Sequence, residues 1–310
     1  MPDAPRIAYL ITSYTLPEQV LRLAETLRRG SPRALIALHH DDRRCAVDVP
    51  ALDVLGVRRV EPPSPVEWGE PSQLEMVLRC LEWLLERSDF DWVVLLSGQD
   101  YPIRPLVDIE RALAGSGFDA FIEATRVEPP ALSRLVPVDE FASRYFYRWR
   151  KLPPGAPGRT LLAIAARARP LLSVRSMPSG DWVGARAFRT PFRPGFECHR
   201  GSDWFTLRRR AVDAVVALLR AKPEILDHYR QTLIPTESLV QTVLASDPAL
   251  RISGDYRRFT VWRPGDARPR VLGCDDLPDM LASGADFARK FDQTVDRAVL
   301  DEIDRRVHTA

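Results

Sequence analysis

A few carboxylates at element ends and one pair of adjacent cations are the side chains here best suited to chemistry. The cations are Arg289 and Lys290, held between Phe287 and Phe291 in the run "DFARKF". Only three lysines, Lys151, Lys222 and Lys290, stand among the 44 basic residues. Such a pair is either a surface feature whose stems snorkel over apolar neighbours or a diphosphate clamp. In a clamp the guanidinium would bind bidentately and the ammonium would act as a compact charge. Glu237 follows Pro235 and Thr236 at a predicted helix start. There it either favours the helix dipole, with Thr236 as cap, or serves as a general base if it faces a cavity. Asp41 and Asp100 end predicted strands, and Asp203 precedes Trp204 in a short one. Each can cap a turn. Asp41, beside the expected crossover, can alternatively accept hydrogen bonds from a nucleoside.

Other chemistries lack their residues. Neither the G-x-G-x-x-G nor the Walker glycine pattern occurs, which argues against a dinucleotide enzyme of Rossmann type. No Asp-x-Asp follows a strand. His39, His40, His199, His228 and His308 show no metal-ligand spacing, and His39 and His40 read as half-buried strand residues. Cys45, Cys80, Cys198 and Cys274 are too scattered for a zinc knuckle or a redox pair. No bound metal and no cofactor is therefore expected. A net charge of +2 gives no global field of the kind nucleic-acid binding needs.

The elements that must position these groups read as α/β. "RIAYLIT" is an apolar strand, "LPEQVLRLAETLRRG" an amphipathic helix and "ALIALHHD" a second strand. Strand, helix and strand in that order predict a parallel sheet with a right-handed crossover. A helix is predicted from about Ser72 to Arg87. The continuous apolar run "DWVVLLSGQD" then predicts a strand covered on both faces. The polar endings "ITSY", "HHDD" and "SGQDYP" would gather at the carboxyl edge, where such sheets bind ligands. Residues from about Glu123 to Arg200 read as long loops and short helices, "GSDWFTLRRRAVDAVV" as a strand leading into a helix, and "FTVW" as a late strand. No repeat or low-complexity linker divides the 310 residues, so one domain is expected. The start of the sequence shows no leader pattern and no apolar run reaches membrane-span length, so a cytoplasmic protein is expected, at most peripheral to a membrane.

In order along the chain, "IAYLITSY", "IALHHD", "VEWGEPSQLEMVLRCLEWLL", "FDWVVLLSGQDYPIR", "GSDWFTLRRRAV", "PTESLVQTVL" and "DFARKFDQTVDRAVLDEID" resemble the core-2/I-branching glycosyltransferase family, above all its peptide O-xylosyltransferases. The resemblance spans residues 6–125 and 200–305. It implies a GT-A type fold with a central, mostly parallel sheet flanked by helices, and inverting, metal-independent transfer of xylose or N-acetylglucosamine from a UDP-sugar. It implies a nucleotide-binding half at 1–125, variable acceptor-side loops at 126–200, and a donor-sugar and catalytic half at 201–310. By the same resemblance, Ile11 and Asp41 meet the nucleotide, with Asp41 on the uridine and Trp68 and Gly69 lining its pocket. Asp100 joins the donor site, Asp203 and Trp204 hold the donor sugar, and Glu237 is the base. Arg289 and Lys290 take the diphosphate, and Arg268 or Arg270 adds a further contact. Two departures stand out: the family often has Asp-Glu where this chain has Thr236-Glu237, and the membrane anchors and disulfides of its eukaryotic members have no counterpart here. Residues 126–199 match least, so the acceptor (glycan, glycolipid, peptide or small molecule) stays open. A non-catalytic nucleotide-sugar or glycan binder on the same fold is the alternative.

Overall fold

The structure is a computed structural model that describes residues 5–133, 137–153, 168, 170–263, 265–266 and 268–308. The chain starts with β1 (Ile7–Ser13), α1 (Pro17–Gly30), β2 (Leu35–His40), α2 (Val49–Val54), β3 (Val57–Arg59), α3 (Pro71–Arg87) and β4 (Trp92–Ser97). β1 pairs in parallel with both β2 and β4, and β2 with β3. The sequence explains this directly. Pro17 at the first turn, Glu18 beside it and Arg28 and Arg29 in the last turn suit both ends of the α1 dipole. Its apolar stripe of Val20, Leu23 and Leu27 is fully buried. At roughly 1.5–3 kcal/mol per buried aliphatic side chain, that stripe holds the helix on the sheet.

Next come β5 (Asp100–Pro102), α4 (Leu106–Ala114), β6 (Ala120–Phe121), β7 (Thr125–Arg126), α5 (Glu140–Tyr145), β8 (Tyr147–Lys151), β9 (Leu172–Met177), β10 (Gly180–Arg186), β11 (His199–Arg200) and β12 (Thr206–Arg208). They are followed by α6 (Arg209–Ala221), α7 (Pro223–Tyr229), a 3-10 turn (Pro235–Glu237), α8 (Leu239–Ala245), β13 (Arg258–Phe259), α9 (Leu277–Ala282), β14 (Phe287–Arg289) and α10 (Ala298–Val307). The central sheet has the order β3-β2-β1-β4-β12-β6, with β12 antiparallel to its neighbours.

Period-two alternation sends successive side chains of the buried strands into two separate cores. Ala8 and Leu10 of β1, with Val93 and Leu95 of β4, pack against α3, α6 and α8. Ile7, Tyr9 and Ile11, with Trp92, Val94 and Leu96, pack against α1, α4 and α10. This is the mixed α/β architecture, a mostly parallel sheet between helices, that the sequence predicts. No helix among the described residues is long and apolar enough to cross a membrane.

Three local expectations need correction. The described part of 126–200 is not all loop and helix, because β8, β10 and β9 form an antiparallel sheet. "FTVW" is strand only at Phe259, and Trp262 stands out into solvent. Glu237 lies in the 3-10 turn ahead of α8 rather than in its first turn, and the hydroxyl of Thr236 caps nothing. The turn is entered through Ile234 in a left-handed conformation (φ 50°), a bend no helical periodicity announces.

Candidate active site

A cavity of ≈ 280 Å³ opens at the carboxyl ends of the parallel strands. Its wall includes Thr12 and Ser13 from the end of β1, His39 and Asp41 from the end of β2, and Ser97 from β4. This is where a parallel sheet leaves a crevice between diverging loops. Both His39 and His40 are fully buried, a correction to their expected half-burial. The backbone N–H of Ser64 donates to His39 Nε2 at 3.0 Å, and burial holds the ring neutral with its pKa lowered to about 4.

Asp41 is already engaged. Its carboxylate receives Arg43 Nη2 at 2.7 Å, Arg43 Nε at 2.9 Å and the Val66 N–H at 2.9 Å. The Arg43 hydrogen bonds lead in lowering its pKa to about 2. Two carboxylate oxygens offer about four acceptor directions, so little capacity remains on this buried acid. Trp68 lines the same side and is partly exposed. Gly69 does not reach the cavity. It turns the chain at φ 76°, donates its N–H to Gln73 Oε1 and accepts from the Ile234 N–H at 2.8 Å. A methyl there would sit 2.7 Å from Met177 Cε, so glycine serves the turn and the close approach.

The Arg289–Lys290 segment is fastened through its backbone. Phe287 and Phe291 are buried, edge-on to Tyr9 and Tyr101 respectively. Gln19 and Gln99 both donate to the Phe291 carbonyl, and the Leu272 N–H donates to that of Lys290 at 2.8 Å. In β14, Arg289 lies opposite Asp100 of β5, its Nε 3.0 Å from the Asp100 carboxylate. Its guanidinium sits 4.3 Å above the Trp204 ring centre, a favourable cation–π geometry. Asp100 is fully buried and lies behind this arginine rather than on the wall. Lys290 and Arg268 line the cavity with Arg289, and neither has an ion-pair partner among the described residues. Burial, then the charges of Arg268 and Arg289, push the Lys290 pKa down. Cations held together with so little local compensation suit an anionic ligand.

Asp203, Trp204 and Glu237 also line the cavity. The Gly201 N–H donates to the Glu237 carbonyl at 2.8 Å, and Gln241 Nε2 donates to the Ser202 carbonyl at 2.6 Å. These bonds tie "GSDWF" to "PTESLVQ". A methyl on Gly201 would collide with the Glu123 carbonyl oxygen, which explains the glycine there. Asp203 Oδ1 is buried and has no well-aligned hydrogen bond among the described residues; the Thr236 hydroxyl approaches the carboxylate and favours its charged form, but burial outweighs it and pushes the pKa up. Arg144 Nη1 donates to Glu237 Oε2 at 2.7 Å, and 25% of the Glu237 side chain is exposed. Burial, then repulsion from Asp203, pushes Glu237 up to about 7 against the pull of Arg144 and Arg200. That range suits a group which must take a proton near neutral pH.

Asp41, Trp68, Asp203, Trp204, Glu237, Arg268, Arg289 and Lys290 thus meet at one cavity. Four predicted donor-site residues do not line it. Ile11 is core on β1, Gly69 and Asp100 support wall residues from behind, and Arg270 is turned away onto Asp276. Sequence reasoning missed Arg43, Arg44 and Arg144. Arg44 lines the cavity with its guanidinium 4.9 Å from the Tyr14 ring centre. Arg43, two residues from Asp41, was findable as a local charge pair. Arg144, 93 positions from Glu237, carried no such signal. Among the described residues no group of three or more His, Cys, Asp or Glu is arranged to hold a metal ion.

The family model described as "Core-2/I-Branching enzyme" matches residues 7–280. The chain belongs to this family. Within it, the chain is 25% identical over 333 residues to "Xylosyltransferase oxt" of Drosophila pseudoobscura pseudoobscura, covering 96% of this chain and 33% of that protein. It is 26% identical over 268 residues to "Xylosyltransferase 2" of Rattus norvegicus, covering 76% of this chain and 26% of that one. To "Beta-glucuronosyltransferase GlcAT14A" of Arabidopsis thaliana it is 25% identical over 331 residues, with 98% and 64% covered. The chain therefore spans a third or less of the length of these xylosyltransferases. A 4-diphosphocytidyl-2C-methyl-D-erythritol synthase structure from Anaerococcus prevotii superposes at a TM-score of only 0.31 with 12% identity, covering 71% of this chain and 78% of that one.

Proposed function

We propose that this core-2/I-branching family protein is an inverting, metal-independent glycosyltransferase that moves a sugar from a UDP-sugar to an acceptor hydroxyl. The observation that carries the reading is the convergence on one strand-end cavity of Glu237 with Arg268, Arg289 and Lys290. In a single displacement, Glu237 takes the acceptor's proton as the hydroxyl oxygen bonds to the anomeric carbon. The bond from that carbon to the diphosphate oxygen breaks, and UDP departs with the electron pair. Charge accumulates on the diphosphate as the bond breaks, and preorganised cations act most strongly there. Arg289, braced by Asp100 and Trp204, Lys290 and Arg268 take this role. Asp203, with a buried oxygen that lacks a well-aligned hydrogen bond, accepts a hydroxyl of the donor sugar. The uridine end lies beside Asp41, Arg43 and Trp68, and Asp41 offers it only the small acceptor capacity that Arg43 and Val66 leave.

Membership of a family with xylosyltransferase and β-glucuronosyltransferase relatives supports sugar transfer, with xylose the first donor to try. Pro178 and Ser179, just after β9, reach the cavity and form part of the acceptor side. The test is a thermal-shift panel of UDP-xylose, UDP-N-acetylglucosamine and UDP-glucuronic acid, followed by UDP-release assays and the stereochemistry of the product. A stabilising donor that yields an inverted linkage or hydrolysis product supports the reading. Tight donor binding with neither transfer nor hydrolysis would leave a binding protein instead.

A further inference from the structure

Glu237 is not a free carboxylate: the acceptor-side segment reaches across and holds it. Arg144, on the short helix α5, keeps only 14% of its side chain exposed and divides its guanidinium between two acids. Nη1 donates to Glu237 Oε2 at 2.7 Å and Nη2 donates to Glu140 Oε1 at 2.6 Å. Arg175 of β9 approaches the same Glu140 oxygen at 3.5 Å and donates to Ser143 Oγ at 2.7 Å. A chain of alternating charge therefore runs from the β8–β10–β9 sheet through α5 to the cavity. It occupies one oxygen of Glu237, and among the described residues no side chain or backbone N–H donates to the other, Oε1.

We propose that Arg144 is a positioning residue for the reaction: it pins Glu237 through Oε2, so that Oε1 alone meets the incoming hydroxyl. This rests on the reading of Glu237 as base. A planar fork anchored to Glu140 fixes carboxylate rotation in a way that a flexible ammonium cannot. Arg144 also stabilises the charged form of the base, against burial and Asp203, which disfavour it. The groups facing Glu237 are Arg144 and Tyr145 from α5, Asp203 from the loop before β12, and Arg200 from β11. Behind the 3-10 turn stand Glu70, which precedes α3, and Glu75 on α3, paired with Lys151 and Arg230 respectively, and α8 carries no titratable side chain. Arg144 is thus the cation bonded to the base. Its loss leaves burial and Asp203 opposed by the weaker pull of Arg200.

The test is the pH profile of kcat/KM for Arg144→Met and Arg144→Lys with donor and acceptor both subsaturating, read beside UDP affinity. The acid limb, which reports protonation of the free enzyme's base, is expected to move up by about one pH unit or more in Arg144→Met. Activity well below the limb then falls about tenfold per unit, and UDP affinity stays unchanged. Arg144→Lys keeps the charge without the fork, and its limb is expected between wild type and Arg144→Met. A uniform loss at every pH, or a limb that does not move, overturns the proposal. If only Arg144→Lys folds, a limb above wild type supports it and an unmoved limb refutes it. Glu237→Gln separates the two layers. Full turnover in that variant removes the base itself, whereas an inactive Glu237→Gln beside an unmoved Arg144→Met limb removes only the role of Arg144.

Discussion

Lys290→Ala tests the diphosphate site through a difference between two ligands. The ammonium lines the cavity beside Arg268 and Arg289, and its pKa is lowered by burial and by those two cations. A unit charge about 4 Å from a phosphate oxygen at an effective dielectric near 20 gives about 4 kcal/mol. Desolvation of the ammonium and the two remaining arginines reduce that toward the ~1.5–3 kcal/mol of a charged hydrogen bond. At 1.4 kcal/mol per decade, UDP should bind about 10- to 100-fold more weakly. Uridine has no diphosphate and should bind Lys290→Ala as it binds wild type. Titration calorimetry with both ligands reads the difference, without added metal. The linkage has a definite sign: above the lowered pKa of the free site, UDP must bring a proton with it. UDP affinity in wild type should therefore fall as pH rises through that pKa, and the fall should flatten in Lys290→Ala. Equal losses for UDP and uridine, or unchanged UDP affinity, would refute the assignment.

Other consequences follow from the same geometry. EDTA should leave transfer unchanged, since fixed cations are assigned the task of a divalent ion; abolition of activity would contradict this. Asp41→Ala should remove about 1–2 kcal/mol of stability at neutral pH, discounted because Arg43 is half exposed. The Asp41 pKa is depressed to about 2, so its contribution is present above the unfolded value near 4 and fades as pH falls toward 2. Urea midpoints of wild type and variant should accordingly converge in acid. Gly201→Ala should lower both Tm and turnover, because the new methyl meets the Glu123 carbonyl and displaces the segment that receives Glu237; an unaltered Tm would show the backbone yields there.

What the sequence revealed follows from which interactions are local. β1 and β4 are continuous apolar runs and the buried stripe of α1 has helical spacing, so local hydrophobic pattern was enough to find these elements, whereas the division of the strands between two cores emerges from the structure. The cavity's position follows from the parallel strands once their polar endings are read together. The Arg289–Lys290 pair was visible as a composition anomaly, but its brace, Asp100, lies on another strand and emerges only through the β5–β14 register. Arg270, as close in sequence as Arg268, is diverted by Asp276, a contact that spacing cannot rank. The 3-10 turn that carries Glu237 depends on a left-handed Ile234, and its partner Arg144 arises from a region with little periodicity. A bend at one residue and a salt bridge across 93 positions are both set by tertiary packing.

Catalysis divides into two tasks here: Glu237 takes the proton while the cations hold UDP. Turnover of Glu237→Gln under saturating donor, with UDP affinity measured on the same preparation, bears on this division most directly. General-base assistance contributes about 10²–10⁴-fold, so turnover should drop at least a hundredfold while UDP binds as in wild type. Wild-type turnover in the glutamine variant would contradict the claim outright.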